Sequence, residues 1–292
     1  MKTWINEYWW LFLLVLFSLI IIAFITGSFR MNRMIARETE ILMDVNASPD
    51  SYETRTITQE DLDALPKPVG RWLETIGLVG QERLLFVEFT QNGSMRMDPE
   101  TDKWMESEAR QVVNVAKPAF IWHVDLSMMP IMNTKGRDLF FQGEASMDIR
   151  IGSLIRVVDE KNNEKLDESA LQRFLMELPW YPTAALEEYM EWEAIDNERT
   201  KAIMTYEGMR AEAVFVFDEE GHLKSVEADR FKDPKDSIRT ACVGVFHSRM
   251  VIDGLTVPDA ADITWEIETG PFTWYRFESS NMVFHHEVPG ND

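Results

Sequence analysis

The chain has 292 residues, of which 45% are hydrophobic and 27% charged, and its formal net charge at pH 7 is −21. This excess of acidic residues argues against nucleic acid as a partner, because binding to phosphates needs clustered lysine and arginine side chains. A single cysteine excludes a disulfide scaffold and a cysteine-rich zinc site, and the chain is too apolar and aromatic to be disordered.

The first element is an apolar segment from Tyr8 to Gly27 that contains no charged residue. At a helical rise of about 1.5 Å, a segment of this length spans a hydrocarbon core of about 30 Å. Aromatic residues, including Trp9 and Trp10, stand at one end, where they favour the membrane interface. We therefore predict a transmembrane anchor over residues 1–28 and a single-pass location in the cell membrane. A cleaved signal peptide is the alternative, although the apolar run exceeds the usual length of about 7–15 residues.

The charges that flank this segment leave its orientation open. Arg30, Arg33 and Arg37 follow the span, so the positive-inside rule favours a cytosolic C-terminal part. The rule is weak, however, for one span followed by a long domain, which can translocate regardless of charge.

Residues 29–45 carry apolar side chains at three- and four-residue spacing, among them Met31, Ile35 and Leu42. This spacing predicts an amphipathic helix that continues out of the membrane. Its apolar stripe could pack on the soluble domain, lie on the bilayer or form a homodimer with a second copy, and packing on the domain is the default interpretation. The polar stretch that follows predicts a linker, so residues 29–55 form a juxtamembrane helix and linker.

Residues 56–292 contain no internal repeat, no low-complexity tract and no second linker, which predicts a single domain. Its first part is helical. Thr58 and Asp61 have the spacing of a helix cap, so we predict a short helix over residues 59–65. A second short helix is predicted over residues 69–76.

After these helices the hydrophobic period changes to two. Apolar residues alternate with polar ones around residues 87–90, 147–151, 213–217 and 263–267. Such alternation is typical of antiparallel strands with one face in the core and the other in water. Three dipeptides predict turns between strands: Asn92-Gly93, Glu220-Gly221 and Asp253-Gly254.

One helical interval interrupts the strands. Asp167 or Ser169 is the predicted cap of a helix that ends near Leu178. About four or five strands should precede this insert and about six should follow it. The predicted fold class is α+β and mainly antiparallel β, with a large curled sheet, or half-barrel, around the helical insert and one transmembrane helix in front.

The segment that ends this helix, residues 173–182, contains a distinctive corner. Prolines on either side hold Trp180 in a rigid, non-helical conformation. Glu177 should lie near Arg173, one helical turn back. A rigid aromatic corner closes a core or lines a pocket, and closing the core is the favoured interpretation.

The sequence contains no motif of a known catalytic or metal site. It has no HExxH zinc motif, no G-x-S-x-G elbow and no glycine-rich nucleotide-binding pattern. We therefore predict no cofactor and no metal ion, and we interpret Cys242 as an ordinary strand cysteine.

Four segments resemble successive blocks of a bacterial family of unknown function, DUF6544/DUF6920-like: LPKPVGRWLETIGLVG, GRDLFFQGEASM, RFLMELPWYPTAAL and FDEEGHL. The most specific block has the pattern Glu-x-x-Trp-x-Pro, here Glu177, Trp180 and Pro182. The family pattern often has glycine where this chain has Glu144-Ala145, so that loop is expected to differ. The resemblance implies one intact domain and a bacterial source, but no reaction. The architecture also looks similar to the half-barrel lipoprotein carriers (LolA-like) that hold acyl chains.

The favoured hypothesis is a non-catalytic, membrane-anchored binding module for a lipid or other apolar ligand. The chain has 17 Met, 17 Phe and 10 Trp, which supply flexible and aromatic side chains for a cavity. The predicted ligand-binding residues are Trp122, Arg137, Glu177, Trp180 and Trp265, with Arg137 placed to meet an acidic headgroup.

Two other classes of function stay open. An enzyme could use a polar site near Arg137, Asp138 and Glu177, to which Arg230 could be added, although buried charges that pair can be purely structural. A structural or interaction protein of the membrane or cell envelope could instead form a homodimer through residues 29–45.

Overall fold

The computed structural model describes residues 2–44, 55–129 and 132–287. The helices are α1 (Lys2–Asp44), α2 (Gln59–Asp63), α3 (Lys67–Thr75) and α4 (Glu164–Met176), and two 3-10 turns follow α4 at Leu178–Trp180 and Pro182–Leu186. Six strands precede α4: β1 (Phe86–Met95), β2 (Met105–Asn114), β3 (Ala119–Met129), β4 (Met132–Phe141), β5 (Glu144–Ile151) and β6 (Ile155–Lys161). Seven strands follow it: β7 (Met190–Ala194), β8 (Arg199–Tyr206), β9 (Met209–Phe217), β10 (Leu223–Arg230), β11 (Thr240–Ile252), β12 (Leu255–Ile267) and β13 (Gly270–His285).

All thirteen strands belong to one antiparallel sheet, in the order β6-β5-β4-β3-β2-β1-β13-β12-β11-β10-β9-β8-β7. Each half of the chain forms a meander of consecutive hairpins. The two meanders join where β1 pairs with β13, with Phe86 opposite His285. The edges of the sheet are therefore β6 and β7, the strands on either side of the helical insert in the chain.

Helix α4 lies inside the curl of this sheet and contacts both halves. The Asp167 carboxylate accepts a hydrogen bond of 2.6 Å from the Ala145 amide of β5. On the other side, Gln172 donates to the Glu212 carbonyl of β9, and Arg230 of β10 donates to Ser169. One helix can touch strands this far apart in the sheet only because the sheet curls around it, so the predicted α+β half-barrel is confirmed.

The concave and convex faces of the sheet pack against different helices. The concave face holds the main core, with α3 and α4 contributing side chains such as Trp72 and Phe174. The convex face packs against the second half of α1, where Met31, Ile35 and Leu42 are buried against strands β1 to β3. The apolar stripe of residues 29–45 thus packs on the domain. The structure gives the predicted homodimer no support, because the domain already covers much of the stripe that would form the dimer contact.

Helix α1 is continuous through the boundary expected at residue 28. Among the described residues, it is the one helix long and apolar enough to cross a membrane. The predicted linker over residues 46–55 lies almost entirely outside the described residues.

The short helices and turns agree with the sequence in part. The Thr58 amide donates to the Asp61 carboxylate at 2.8 Å, which is the predicted cap. Asp253-Gly254 forms the predicted turn between β11 and β12, with both residues at positive φ. The described strands number six before α4 and seven after it, which exceeds the expected four or five and about six. Two local expectations also need correction.

The first correction concerns Asn92-Gly93, which lies within β1 rather than in a turn. A Cβ atom at Gly93 would collide with the Arg276 carbonyl oxygen of β13, so glycine is needed here because the two backbones approach closely.

The second correction concerns the start of α4, which begins at Glu164. Its cap is Asn163, whose side chain accepts from the Lys165 amide, while Asp167 binds β5 instead.

Candidate functional site

The concave face encloses a cavity of about 360 Å³ beside the C-terminal end of α4. This volume is within the range of about 300–1,000 Å³ that is common for small-molecule sites. Side chains of β1, β3, β4, β5 and β10 to β13 contribute to the wall, and most are apolar. The aromatic members include Trp122, Trp180, Phe246, Trp265, Trp274 and Phe277, and Met95, Met97, Met147 and Met176 add flexible side chains.

Trp180 lies at the boundary between this cavity and the core. The two prolines place it in a 3-10 turn directly after α4, where only 2% of it is exposed. Its ring centroid lies 5.4 Å from that of Phe246 and 5.6 Å from that of Phe277. Its Nε1 is buried and has no hydrogen-bond partner among the described residues. The residue therefore both closes the core and lines the cavity.

One side of the cavity carries a charge cluster, formed by Asp138, Arg173, Glu177 and Arg230. Arg173 is central. Its Nη1 lies 3.0 Å from Asp138 Oδ2, and its Nε lies 2.8 Å from Glu177 Oε1. Gln111 extends the cluster by donating from Nε2 to Glu177 Oε2 at 2.6 Å. The position of Glu177 one turn after Arg173 is as predicted.

Burial changes the pKa values in this cluster. Burial raises the pKa of Asp138, although the guanidinium groups of Arg173 and Arg137 oppose the shift. Burial would lower the pKa of Arg173, but Glu177 and Asp138 outweigh it and raise that pKa. Arg173 is thus fixed as a cation between two carboxylates, and it also stacks 4.9 Å from the ring centroids of both Phe120 and Trp122.

Arg230 differs from Arg173 in its partners. It donates to the Ser169 hydroxyl and carbonyl at 3.0 Å, and its Cζ lies 5.5 Å from the ring centroid of Trp265. No ion pair joins it to a carboxylate within the described ranges. Burial lowers the pKa of its guanidinium, with Arg173 adding to that effect. Arg230 is therefore the cavity cation best placed to meet a polar group of a ligand.

Two polar groups of the aromatic wall share one acceptor, the Gln91 side chain. The Gln91 side-chain oxygen accepts from Trp122 Nε1 at 2.9 Å and from the Tyr275 hydroxyl at 3.2 Å. These bonds fix the two rings in place. The rings therefore present their carbon atoms to the cavity.

Four of the five predicted site residues line this cavity: Trp122, Glu177, Trp180 and Trp265. The expected position of Arg137 is corrected by the structure. Side chains alternate along β4, so Asp138 faces the cavity and Arg137 faces the convex side. There its Nε lies 3.1 Å from Glu38 of α1, and its Nη1 donates to the Ser146 hydroxyl at 2.6 Å. Arg137 joins the sheet to α1 and is separated from the cavity.

The cavity also includes Cys242, whose thiol is buried. Burial raises its pKa to about 11, against an opposing effect of Arg230, so the thiol is protonated at neutral pH. No histidine, serine or threonine is found among the described lining residues. Within the same described ranges, no three His, Cys, Asp or Glu side chains are grouped to hold a metal ion.

Comparison with known proteins places the chain in a family. A family model described as "Family of unknown function (DUF6920)" matches residues 63–284. The chain belongs to the DUF6920 family. The match begins at α2 and extends into β13, so it includes both meanders and the whole cavity wall of this DUF6920 protein.

Two solved structures are similar to this DUF6920 protein. One is a LolA superfamily protein from Nitrosomonas europaea, with a TM-score of 0.42, 9% identity and coverage of 80% of this chain and 96% of the other. The second is a beta-barrel-like protein of a domain of unknown function, DUF1849, from Brucella abortus, with a TM-score of 0.32, 9% identity and coverage of 70% and 99%. The DUF6920 chain has no match among curated proteins.

Proposed function

We propose that this protein is a non-catalytic, membrane-anchored module that binds a lipid or another mainly apolar ligand in the concave cavity. The observation that carries the proposal is the cavity itself: a concave space with an aromatic and methionine-rich wall and charges on one side. Burial of apolar ligand surface would drive uptake at roughly 25 cal/mol per Å².

The chemistry of the wall favours a ligand with an apolar body and one polar end. The long apolar side suits an acyl chain, because methionine and aromatic side chains adapt to flexible hydrocarbon. Arg230 supplies donors for a carboxylate, ester or phosphate oxygen. A second cation, Arg96, also lines the cavity, and its Cζ lies 4.9 Å from the ring centroid of Phe272.

An enzyme is the second candidate, supported by the raised pKa of Asp138 inside a cavity. Against it, both carboxylates of the cluster are already bound to Arg173. The one cysteine in the wall is held as a neutral thiol, which is a poor nucleophile. Binding therefore accounts for the described side chains better than catalysis.

The anchor supports a role at a lipid surface. In α1, Trp9 to Ile22 are exposed in this structure, which is the arrangement expected of a helix that places them in a bilayer. The second half of the same helix packs on the convex face, so anchor and domain are held together. The ligand cavity would then lie at a fixed position relative to the membrane.

Photolabelling of the full chain in phosphatidylcholine vesicles tests the proposal. The probe is palmitic acid with a diazirine near the end of its chain, and labelled peptides are identified by mass spectrometry after protease digestion. We expect labels in the peptides of β11 to β13 and in residues 173–180, and we expect unlabelled palmitic acid to remove them. Labels confined to α1 would contradict binding in the cavity.

A further inference from the structure

The turn between β5 and β6 packs against α1 at the end of the apolar span. A Cβ atom at Gly152 would collide with the Phe24 ring. One helical turn later, a Cβ at Gly27 would lie 2.7 Å from Leu154 Cδ2 and 2.8 Å from the Ser153 carbonyl oxygen. Two glycines thus allow the turn and the helix to approach closely, and the approach lies at the last residues of the segment from Tyr8 to Gly27.

The residues around this contact leave an apolar surface uncovered. Leu154 is 40% exposed, Ile155 61% and Val157 51%. On the adjoining turns of α1, Ile25 and Phe29 are 64% and 65% exposed. Large apolar side chains at the edge of a sheet are unusual, because an exposed edge strand invites aggregation unless something covers it.

The charges next to this surface fit a lipid headgroup region. Arg30, Arg33 and Arg37 are exposed on α1 directly after the apolar span. Basic side chains at that depth interact with lipid phosphates, while apolar side chains one turn earlier enter the acyl boundary. The exposed apolar residues of the hairpin therefore lie beside the last turn of the apolar span, directly before the arginines of α1.

We propose that the β5–β6 turn and the start of β6, residues 152–157, form a second membrane contact, which inserts Leu154 and Ile155 at the interface beside α1. This inference rests on the proposed membrane anchor. It commits to the bilayer as the occupant of the surface, because the surface is continuous with the span at Phe24 and Gly27.

The contact has a consequence for the cavity. Met147 and Ile149 of β5 line it, and the same strand ends at the turn. At about 3.3 Å per residue, Ile149 lies about 20 Å or less along the chain from Ile155. The cavity wall and the proposed lipid contact are thus joined by one short strand.

The test uses the full chain with Cys242→Ala and one new cysteine, labelled with the fluorophore NBD and placed in phosphatidylcholine vesicles. A share of the lipid carries a nitroxide near the headgroup, which quenches NBD at the interface. Ile155→Cys probes the turn. Lys161→Cys is the matched control, since it is exposed on the same strand about 20 Å away. Leu19→Cys reports on the span itself, in matching vesicles whose nitroxide lies near the end of the acyl chain, because Leu19 is close to the middle of the segment from Tyr8 to Gly27.

We expect nitroxide lipid to quench NBD at position 155 at least threefold more than at position 161. Equal, weak quenching at 155 and 161 together with strong quenching at 19 would overturn the hairpin contact and leave the anchor in place. Weak quenching at all three positions would overturn the anchor as well. Neither result would remove ligand binding in the cavity, which the photolabelling experiment measures separately.

Discussion

Gly244→Leu should block the proposed cavity without disturbing the fold. Gly244 lies on β11 between Cys242 and Phe246, which share its face and line the cavity with it. A Cβ atom there would have its nearest neighbour, Ile263 Cδ1, at 3.5 Å, which is ordinary van der Waals contact. The side chain can therefore extend into the open space, and the loss of a strand glycine should raise stability by about 0.5–1 kcal/mol.

The expected loss of affinity follows from the room that the new side chain takes. A leucine side chain occupies the space of about three methylene groups of a ligand, in a cavity of about 360 Å³. At about 0.8 kcal/mol per buried methylene, the ligand loses about 2.4 kcal/mol. That difference corresponds to a dissociation constant about 50-fold higher.

The assay is a titration of the full chain in amphipol with dansyl-labelled undecanoic acid, followed by dansyl fluorescence. Val245→Phe is the control, because it also enlarges a side chain of β11 but at the next residue, which faces away from the cavity and is 37% exposed. We expect the control to bind as the unmodified chain does. If Gly244→Leu is folded and binds the probe with unchanged affinity, the ligand does not occupy this cavity.

Three further predictions concern stability, each read from urea or pH denaturation followed by circular dichroism. Trp180→Ala should lower the free energy of unfolding by about 3–5 kcal/mol, and Trp180→Phe should lower it much less. A loss below about 1 kcal/mol for Trp180→Ala would contradict the aromatic packing at this corner. Arg173→Met should lower the free energy of unfolding by about 3–5 kcal/mol, because Asp138 and Glu177 lose their shared cation. Adding Asp138→Asn and Glu177→Gln should recover part of this loss, and no recovery would argue against the ion pairs as its cause. Burial, with Lys135 adding to it, lowers the pKa of His123 to about 4. Between that pH and about 6.5 the unfolded chain binds a proton that the folded chain does not, so the free energy of unfolding should fall as the pH drops from about 6.5 to about 4. His123→Gln should flatten this part of the profile, and an unchanged slope would refute the assignment.

The sequence predicts the local elements of this fold well because their signals are local. Alternation over residues 213–217 and 263–267 corresponds to β9 and β12, and the Thr58 cap depends on a carboxylate three residues away. The Asn92-Gly93 signal misleads because the same dipeptide serves a hairpin turn or a point of close approach in a strand. Only the pairing of β1 with β13, which is remote in sequence, distinguishes the two.

The same limit applies to the site. Alternation shows that Arg137 and Asp138 lie on opposite faces of a strand, but it does not show which face is concave, and a shift by one residue exchanges them. Trp180 is placed at a corner by its flanking prolines, which is local information. The contacts of Arg230 with Ser169 and Trp265 and of Gln91 with Tyr275 join distant parts of the chain, and no local pattern predicts them. The roles of Trp122, Glu177, Trp180 and Trp265 in ligand binding stay predictions.

The seam between β1 and β13 determines when the protein can complete its fold during synthesis. Every other strand pairing joins neighbours in the chain, so each meander can form as its hairpins leave the ribosome. The seam joins Phe86 to His285, and it can form only after nearly the whole chain has been made. Until then β1 keeps an unpaired edge beside helix α1. If α1 holds the nascent chain at a membrane, as proposed, the first meander would wait there with this edge of β1 unpaired until β13 has been made. That is the stage at which a chaperone has most to protect.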